Sequence, residues 1–216
     1  MTLHATLHAT LHAINLECDR ADRILFSQLN FTLEPGEILF VNGPNGSGKT
    51  SLLRILAGLS SATEGEIHWC GQTITAENYR ANIAYLGHKT AVKLGLTVLE
   101  NLQLAKIMSN AKQLDFTELL LQFDLFDYQQ VLAHKLSAGQ RQRLALIRLL
   151  ASSAKLWIMD EPLTSLDNRA IETLHQAFLL HLSKQGMIVI SSHQPILFAK
   201  AKRIELNNGV NKNENF

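Results

Sequence analysis

A glycine-rich segment between an apolar run and a helical pattern limits the fold of this chain more than any other feature. Gly43 and the triplet Gly48-Lys49-Thr50 fit the pattern G-x-x-x-x-G-K-[ST], whose consecutive backbone N–H groups surround a phosphate chain. The pattern is informative only between a strand and a helix, and residues 37–41 (EILFV) indicate that strand. The candidate phosphate-binding residues are Gly43, Pro44, Asn45, Gly46, Ser47, Gly48, Lys49, Thr50 and Ser51.

Each residue type in this loop has a physical role. Glycine allows backbone angles, and a close approach to phosphate, that a side chain would block. Lys49 can reach the β- and γ-phosphate oxygens, and the Thr50 hydroxyl group can bind Mg²⁺. The following helix directs N–H groups at the anion, and the run 52–56 (LLRIL) gives that helix an apolar face.

Composition argues against several other classes of protein. The length of 216 residues predicts one domain, 1–216, and a net charge of +1 gives no broad basic field for binding nucleic acid. Cys18 and Cys70 stand far apart without a C-x-x-C pattern, which argues against a disulfide framework and a zinc site. We find no run of about 18 apolar residues and no basic-then-apolar leader, so we expect neither a membrane span nor a secretion signal.

The two chain ends are expected to lie outside the core. The unit TLHA occurs three times in residues 2–13, and we predict a mobile extension over residues 1–13. Its histidines could line one face of a helix and bind a soft metal or haem, but we assign no metal site to them: His4, His8 and His12. The Asn-rich residues 207–216 are predicted to form a solvated tail.

Apolar runs predict the rest of an α/β core. Short alternating runs between Ile14 and Ile74 indicate an antiparallel β layer. Residues 88–153 are predicted to form a helical subdomain, in which Thr97 and Glu100 form a capping box. Further strands are expected at residues 83–86, 156–159 and 187–190, with a final edge strand at Arg203–Leu206.

Two adjacent acids follow the strand at 156–159, at the carboxyl end where ligands bind in open α/β sheets. Side chains of Asp160 and Glu161 would point to opposite faces, so one can serve a metal ion while the other polarises a water molecule. Solvated structural acids are the alternative interpretation. Acids directly after four buried apolar residues would be poorly placed for that role.

Five motifs together resemble the nucleotide-binding subunit of ATP-binding-cassette (ABC) transporters over nearly the whole chain. They occur once each, in the order that this family uses: GPNGSGKT (43–50), LSAGQRQR (136–143), LWIMDE (156–161), TSLD (164–167) and SSH (191–193). The resemblance implies an α/β fold with a RecA-like P-loop NTPase core, an antiparallel β layer and an inserted helical subdomain. It also implies an ATPase that uses ATP and Mg²⁺.

The resemblance assigns roles residue by residue. Asp160 resembles the carboxylate that holds Mg²⁺ through water, opposite Thr50, and Glu161 resembles the catalytic carboxylate. His193 resembles the switch histidine that contacts the γ-phosphate. The resemblance also implies that Lys49 is one of the catalytic residues.

Signature residues of the family imply a homodimer. Ser137 can cap a helix, Gly139 allows a close backbone approach, and that helix N-terminus offers a second anion site together with Gln140. By resemblance, this second site closes on the γ-phosphate bound by the partner subunit in a head-to-tail dimer. Asp167 would lie at the interface.

Three positions depart from the family pattern. The family usually has an aromatic residue that stacks on adenine. Arg20 is nearest to that position in this sequence, and Phe26 is an alternative. His88 replaces a glutamine that coordinates the metal and senses the membrane partner, and histidine can still donate or bind metal. Ala138 replaces the first of two glycines in the signature.

The segment LGHKTAVKLGLTVLENL (86–102), with the motifs above, resembles the ATP-binding subunit of the bacterial haem exporter of cytochrome c maturation. This implies a peripheral protein on the cytoplasmic face of the inner membrane, bound to integral-membrane subunits. Its hydrolysis would drive haem export or release of a haem-loaded chaperone.

Three other classes of protein stay open as alternatives. The first is the ATPase of another ABC exporter, for multidrug or lipid substrates, and the His88 segment argues against it. The second is a soluble ABC ATPase of translation or DNA repair, which usually has two cassettes or a coiled-coil insertion. The third is a P-loop kinase, which would need neither LSAGQ nor the acid pair.

Overall fold

The computed structural model describes most of the chain as two sheets flanked by helices. The described residues are 10–20, 23–74, 79–108, 115–192, 198, 201–207 and 210–214. The strands are β1 (Leu11–Arg20), β2 (Arg23–Leu33), β3 (Ile38–Asn42), β4 (Glu64–Trp69), β5 (Gln72–Thr73), β6 (Ile83–Leu86), β7 (Leu156–Asp160), β8 (Met187–Ser191), β9 (Lys202–Asn207) and β10 (Val210–Glu214). The helices are α1 (Lys49–Leu56), α2 (Val98–Met108), α3 (Thr117–Gln122), α4 (Ala138–Leu150) and α5 (Asn168–Ser183).

The larger sheet positions the glycine-rich loop. Its strand order is β10-β9-β3-β8-β7-β6. Strands β9, β3, β8, β7 and β6 are parallel to one another, whereas β10 is antiparallel to β9. Because parallel strands end at the same edge, the residues that follow β3, β6, β7 and β8 come together there. The smaller sheet, β2-β1-β4-β5, is antiparallel, so the predicted fold class is confirmed.

Both faces of the larger sheet are buried, which explains the continuous apolar runs of its strands. Leu39, Val41 and other residues of one face pack against α1 and the antiparallel sheet. The other face, which includes Phe40 and Met159, packs against the helices that follow β6 and β7. Alternate residues along each strand therefore belong to two separate cores.

The repeat at the amino end is partly folded, in contrast to the predicted extension. β1 begins at Leu11, and Leu11 and Ala13 are buried. His12 Nδ1 lies 3.1 Å from Thr32 Oγ1 of β2. The last copy of the repeat forms part of the sheet. Its apolar residues occupy alternate positions of β1, which pairs with β2 and β4. His4 and His8 lie outside the described residues.

The carboxyl end also departs from the prediction. Residues expected in a solvated tail form β10, which pairs antiparallel with β9 from Val210 to Glu214. β9 is therefore an interior strand between β10 and β3, where the sequence predicted an edge. The sequence did not predict β10, because residues 210–214 (VNKNE) lack the alternation of apolar and polar residues that is typical of a strand.

Helices between β6 and β7 correspond to the predicted helical subdomain. The capping box at α2 is confirmed: Glu100 N–H donates to Thr97 Oγ1 at 3.2 Å, and Thr97 N–H donates to Glu100 Oε2 at 2.7 Å. Fully buried Asn101 holds the preceding loop, since its amide group donates to the carbonyl oxygens of Lys93, at 3.0 Å, and Thr97, at 2.9 Å. Among the described residues, no helix has both the length and the apolar character to cross a bilayer.

Candidate active site

The glycine-rich loop connects β3 to α1 and contains two positions that require glycine. Gly43 has a φ of +140°, and a Cβ atom there would lie 2.5 Å from the carbonyl oxygen of Leu206. Gly48 has a φ of +104°, and its Cβ atom would lie 3.0 Å from Leu25 Cβ. Strands β9 and β2 thus limit the space on two sides of the loop, and only glycine fits.

Lys49 is the first residue of α1, and its charge lies within the loop. Its Nζ atom donates hydrogen bonds to the carbonyl oxygens of Gly43 at 2.7 Å and Pro44 at 3.2 Å. The first turn of α1 adds backbone N–H groups and the positive end of the helix dipole. Both features attract an anion to the inside of the loop.

Asp160, the last residue of β7, is only 4% exposed and uses both carboxylate oxygens. Its Oδ2 atom accepts a hydrogen bond from Thr50 Oγ1, and its Oδ1 atom accepts one from Ser191 Oγ, each at 2.7 Å. Mg²⁺ prefers hard oxygen ligands, and proteins hold it through one or two groups together with substrate phosphates. Thr50 and Asp160 fit this chemistry. In the described part of the chain, no group of three or more His, Cys, Asp or Glu side chains is placed so that it could hold a metal ion.

Glu161 follows β7 with a φ of +52°, a left-handed conformation that residues other than glycine seldom adopt. Its backbone N–H donates to the carbonyl oxygen and to the hydroxyl oxygen of Ser191, each at 3.1 Å. Backbone conformations of this kind persist where surrounding structure fixes them, and they are frequent at active sites. The two adjacent acids are therefore held by the same serine.

One cavity of about 350 Å³ collects most of the predicted nucleotide-binding residues. His88 reaches it from the loop after β6. Burial and the nearby Asp160 carboxylate raise the pKa of Tyr85, in β6. The lining residues are Leu25, Asn45, Gly46, Gly48, Lys49, Thr50, Ser51, His88, Asp160 and Glu161.

A second cavity, of about 990 Å³, lies away from these residues. It is lined by Lys155 and Gly186, which precede β7 and β8, and by Trp157 and His181. No predicted site residue within the described part of the chain lines it. Since ligands of open α/β sheets bind at the carboxyl ends of the strands, the smaller cavity is the candidate active site.

The signature residues lie at the start of α4 and do not line the cavity of their own chain. Ser137 caps the helix by accepting from the Gln140 N–H at 3.1 Å, and Gln140 Oε1 accepts from the Ser137 N–H at 2.8 Å. A Cβ atom at Gly139 would lie 2.8 Å from the carbonyl oxygen of Ser165. Glycine is required there because the loop after β7 packs directly against α4.

Asp167 caps α5 by accepting from the Ala170 N–H at 2.9 Å. This backbone hydrogen bond, with the neighbouring cations Arg143 and Arg169, lowers the pKa of Asp167. The guanidinium group of Arg143 in α4 forms an ion pair with Asp167. The signature helix and the TSLD segment are thus joined within one chain.

Arg20 and Phe26 differ in their access to a nucleotide base. Phe26 is fully buried in the core, where its ring lies against Gly48, so it has no free face for stacking. Arg20 is exposed at the end of β1 and stays a candidate for contact with adenine. His193 lies outside the described residues.

Ser191 is a polar residue of this site to which the sequence motifs gave no role. The register of β7 and β8 places it directly beside Asp160. The sequence contained one signal for this role: Ser191 is a polar residue at the end of an apolar strand, and the neighbouring strand ends in Asp160. The order of the strands in the sheet was needed to use it.

The loop, lysine and acid pair at the ends of parallel strands define this protein as a P-loop nucleoside triphosphatase. A family model described as ABC transporter matches residues 26–164, and the chain belongs to this family. It is 44% identical, over 92% of its length, to the "Cytochrome c biogenesis ATP-binding export protein CcmA" of Nitrosomonas europaea, of which 95% is covered. A protein of the same name from Yersinia pestis is 43% identical, with 85% of this chain and 86% of that protein covered.

Among solved structures, the fold is similar to a dimeric ATP-binding cassette, MJ0796, in a post-hydrolysis state with bound ADP and Pi. The TM-score is 0.80 at 22% identity, and the match covers 94% of this chain and 98% of the other. This likeness shows the fold of the chain.

Proposed function

We propose that this chain is the ATP-hydrolysing subunit of an export system for cytochrome c biogenesis. The observation that carries the ATPase assignment is the 2.7 Å hydrogen bond between Thr50 and Asp160, which joins the glycine-rich loop to the acid pair. The export assignment is supported by 44% identity to a cytochrome c biogenesis export protein over 92% of the chain.

ATP would bind with its phosphates inside the glycine-rich loop. The backbone N–H groups of residues 45–51 would donate to the phosphate oxygens, and Lys49 would exchange its two carbonyl partners for the β- and γ-phosphates. The N-terminus of α1 adds the positive end of its dipole. Arg20 is the proposed contact for adenine.

Hydrolysis would use the acid pair and Mg²⁺. Thr50 and Asp160 would hold the ion, which would offset the negative charge that develops on the phosphoryl group. Glu161 orients the attacking water and accepts its proton as general base. His193, on motif order alone, is proposed to contact the γ-phosphate, and His88 to link the site to the membrane partner.

The complete site would need two copies of the chain. Ser137, Gly139 and Gln140 lie at a helix N-terminus, which suits an anion, and they do not line the cavity of their own chain. We infer a head-to-tail homodimer in which these residues contact the γ-phosphate of the partner, with Asp167 at the interface. The dimeric state of a similar cassette supports this arrangement.

The transported cargo and the location follow from the same proposal. The dimer would bind integral-membrane subunits of the cytochrome c maturation system on the cytoplasmic face of the bacterial inner membrane. Hydrolysis would drive haem export or release of a haem-loaded chaperone. We propose no nucleic-acid partner, since the net charge is only +1.

Glu161→Gln tests the catalytic assignment. It removes the general base but keeps the size and polarity of the side chain, so we expect phosphate release to fall by at least about a hundredfold. Binding of a fluorescent ATP analogue should stay within about threefold, because Lys49 and the loop supply the binding interactions. Lys49→Ala is the matched variant that should weaken binding instead. Hydrolysis by Glu161→Gln at the wild-type rate would refute the assignment.

A deletion strain separates the exporter classes. When Glu161→Gln is supplied in place of the wild-type gene, stained gels should lack covalent haem on c-type cytochromes, while b-type haem proteins stay intact. Normal c-type cytochromes with altered drug or lipid handling would favour the other exporter.

A further inference from the structure

Ser191 lies between the two acids of the site. It is the last residue of β8 and is fully buried. Its hydroxyl group donates to Asp160 Oδ1 at 2.7 Å and accepts from the Glu161 backbone N–H at 3.1 Å. A hydroxyl group has one hydrogen, and here that hydrogen is given to a carboxylate.

The four residues before Ser191 in β8 are all apolar and buried, so an apolar residue would suit this position in a strand core. Burial of a hydroxyl group costs free energy unless its hydrogen bonds are made. The two hydrogen bonds described above join this hydroxyl group to Asp160 and Glu161. This suggests a role at the site and not only in the packing of the sheet.

We propose that Ser191 is a positioning residue for ATP hydrolysis, which acts by fixing both acids at once. It holds Oδ1 of Asp160, so that Oδ2 faces Thr50 and the cation position. It also holds the backbone of Glu161 at a φ of +52°. This inference rests on the proposed function, because the roles of the two acids come from there.

The test compares Ser191→Ala with Ser191→Thr, which retains the hydroxyl group, and Ser191→Cys, which retains the volume but is a weak donor. Ser191→Ala should lower kcat by about tenfold or more, the factor that loss of one hydrogen bond to a charged group implies. The Mg²⁺ concentration for half-maximal activity should rise, because Asp160 is free to rotate. Ser191→Thr should restore both values to within about threefold.

A readout independent of hydrolysis is the affinity for a fluorescent ATP analogue with and without Mg²⁺. Ser191→Ala should reduce the gain in affinity that Mg²⁺ gives, and leave the affinity without Mg²⁺ within about twofold, since the loop and Lys49 are intact. Ser152→Ala is the matched control. It removes another hydroxyl group, which has no hydrogen-bond partner among the described residues and lies near the amino end of β7.

If Ser191→Ala does not fold, Ser191→Cys supplies the same comparison with the volume retained. Wild-type kcat and wild-type Mg²⁺ dependence in the folded variant would overturn the inference. An equal defect in Ser191→Thr and Ser191→Ala would do so as well, because it would indicate packing. Glu161→Gln separates the two proposals: if it is inactive while Ser191→Ala is normal, only the role of Ser191 fails.

Discussion

His181 lies flat on Trp157, with ring centroids 3.7 Å apart and an angle of 7° between the ring planes. Gly186 makes this contact possible, because a Cβ atom there would lie 2.3 Å from His181 Nε2. Burial lowers the pKa of His181, and the charge of Lys184 adds to this effect, while nearby backbone groups oppose it. The folded protein therefore favours the neutral imidazole.

A dependence of stability on pH follows at this residue. Below the ordinary pKa of histidine, about 6.5, the unfolded chain takes up a proton that the folded chain resists, so the free energy of unfolding should fall as pH decreases. Above that pH both states are neutral and the effect is absent. His181→Phe keeps a ring on Trp157 without a titrating group, and its urea midpoint should change less between pH 7.5 and 5.5, as the linkage relation requires.

Exposed His134 provides the control. His134→Gln should show the pH dependence of the wild type, and circular dichroism during urea unfolding measures all three proteins. An unchanged pH dependence in His181→Phe would show that this histidine does not control acid stability.

Residue by residue, the sequence predicted the parts of the site that belong to a local pattern. Lys49 and Thr50 follow from G-x-x-x-x-G-K-[ST], because loop, charge and helix start are contiguous. Ser191 and the stacking of His181 on Trp157 could not be predicted. They depend on which strands are neighbours and on a glycine far from Trp157 in the sequence.

Three elements meet at Arg143 of α4. Its guanidinium group donates to Asp167 at the start of α5, to Asp124 after α3 at 3.5 Å, and to the Phe123 carbonyl oxygen at 3.3 Å. Arg169 of α5 also contacts Asp124, at 3.0 Å. The side chain of Arg143 is 16% exposed, whereas that of Arg169 is 71% exposed.

The difference in exposure sets the expected effects on stability. Arg143→Met should lower the free energy of unfolding by about 1 kcal/mol more than Arg169→Met does, the typical value of one hydrogen bond, because the mostly buried Arg143 guanidinium group also donates to the Phe123 carbonyl oxygen. Arg169→Met should cost less than about 1 kcal/mol, because exposed ion pairs are weak. Urea unfolding of the two variants measures the difference. Equal losses would show that Arg143 does not join the elements more strongly than Arg169.

The elements themselves were well predicted where local signals define their ends. Ser137 and Thr97 begin α4 and α2 through capping boxes, and both lie within four residues of their partners. The contacts of Arg143 were not predicted, because Asp124 and Asp167 lie 19 and 24 residues away from it.

At the scale of the whole molecule, the residues proposed to act on ATP form two halves that lie apart within one chain. The cavity holds Lys49 and the acid pair, whereas Ser137 caps α4 outside it. Two chains in a head-to-tail arrangement would unite the two halves. We therefore expect Glu161→Gln with ATP and Mg²⁺ to form dimers that light scattering detects, because hydrolysis no longer separates them.

Ser137→Asp, added to Glu161→Gln, tests the composite site. Aspartate keeps the N-cap of α4 but places a negative charge where the partner's phosphate would bind. Dimers should disappear while each chain still binds the fluorescent ATP analogue. A fully active monomer at low concentration would contradict the composite site.

At this scale the sequence predicted the α/β class but not the order of the strands. The order of the motifs identifies the core, whereas residues 210–214 (VNKNE), which form β10, predict a solvated tail because they contain only one apolar residue. Pairing with β9 compensates for this lack, since it satisfies backbone groups at the edge of the sheet.

The position of β3 between β8 and β9 has a consequence for synthesis on the ribosome. The phosphate-binding strand is made early, at residues 38–42, but its two neighbours lie at 187–191 and 202–207. Contacts so distant in sequence form late, because the intervening chain must first be made and closed into a loop. The nascent chain should therefore gain affinity for nucleotide only after almost all of it has left the exit tunnel, so that ATP stabilises finished molecules and not partial ones.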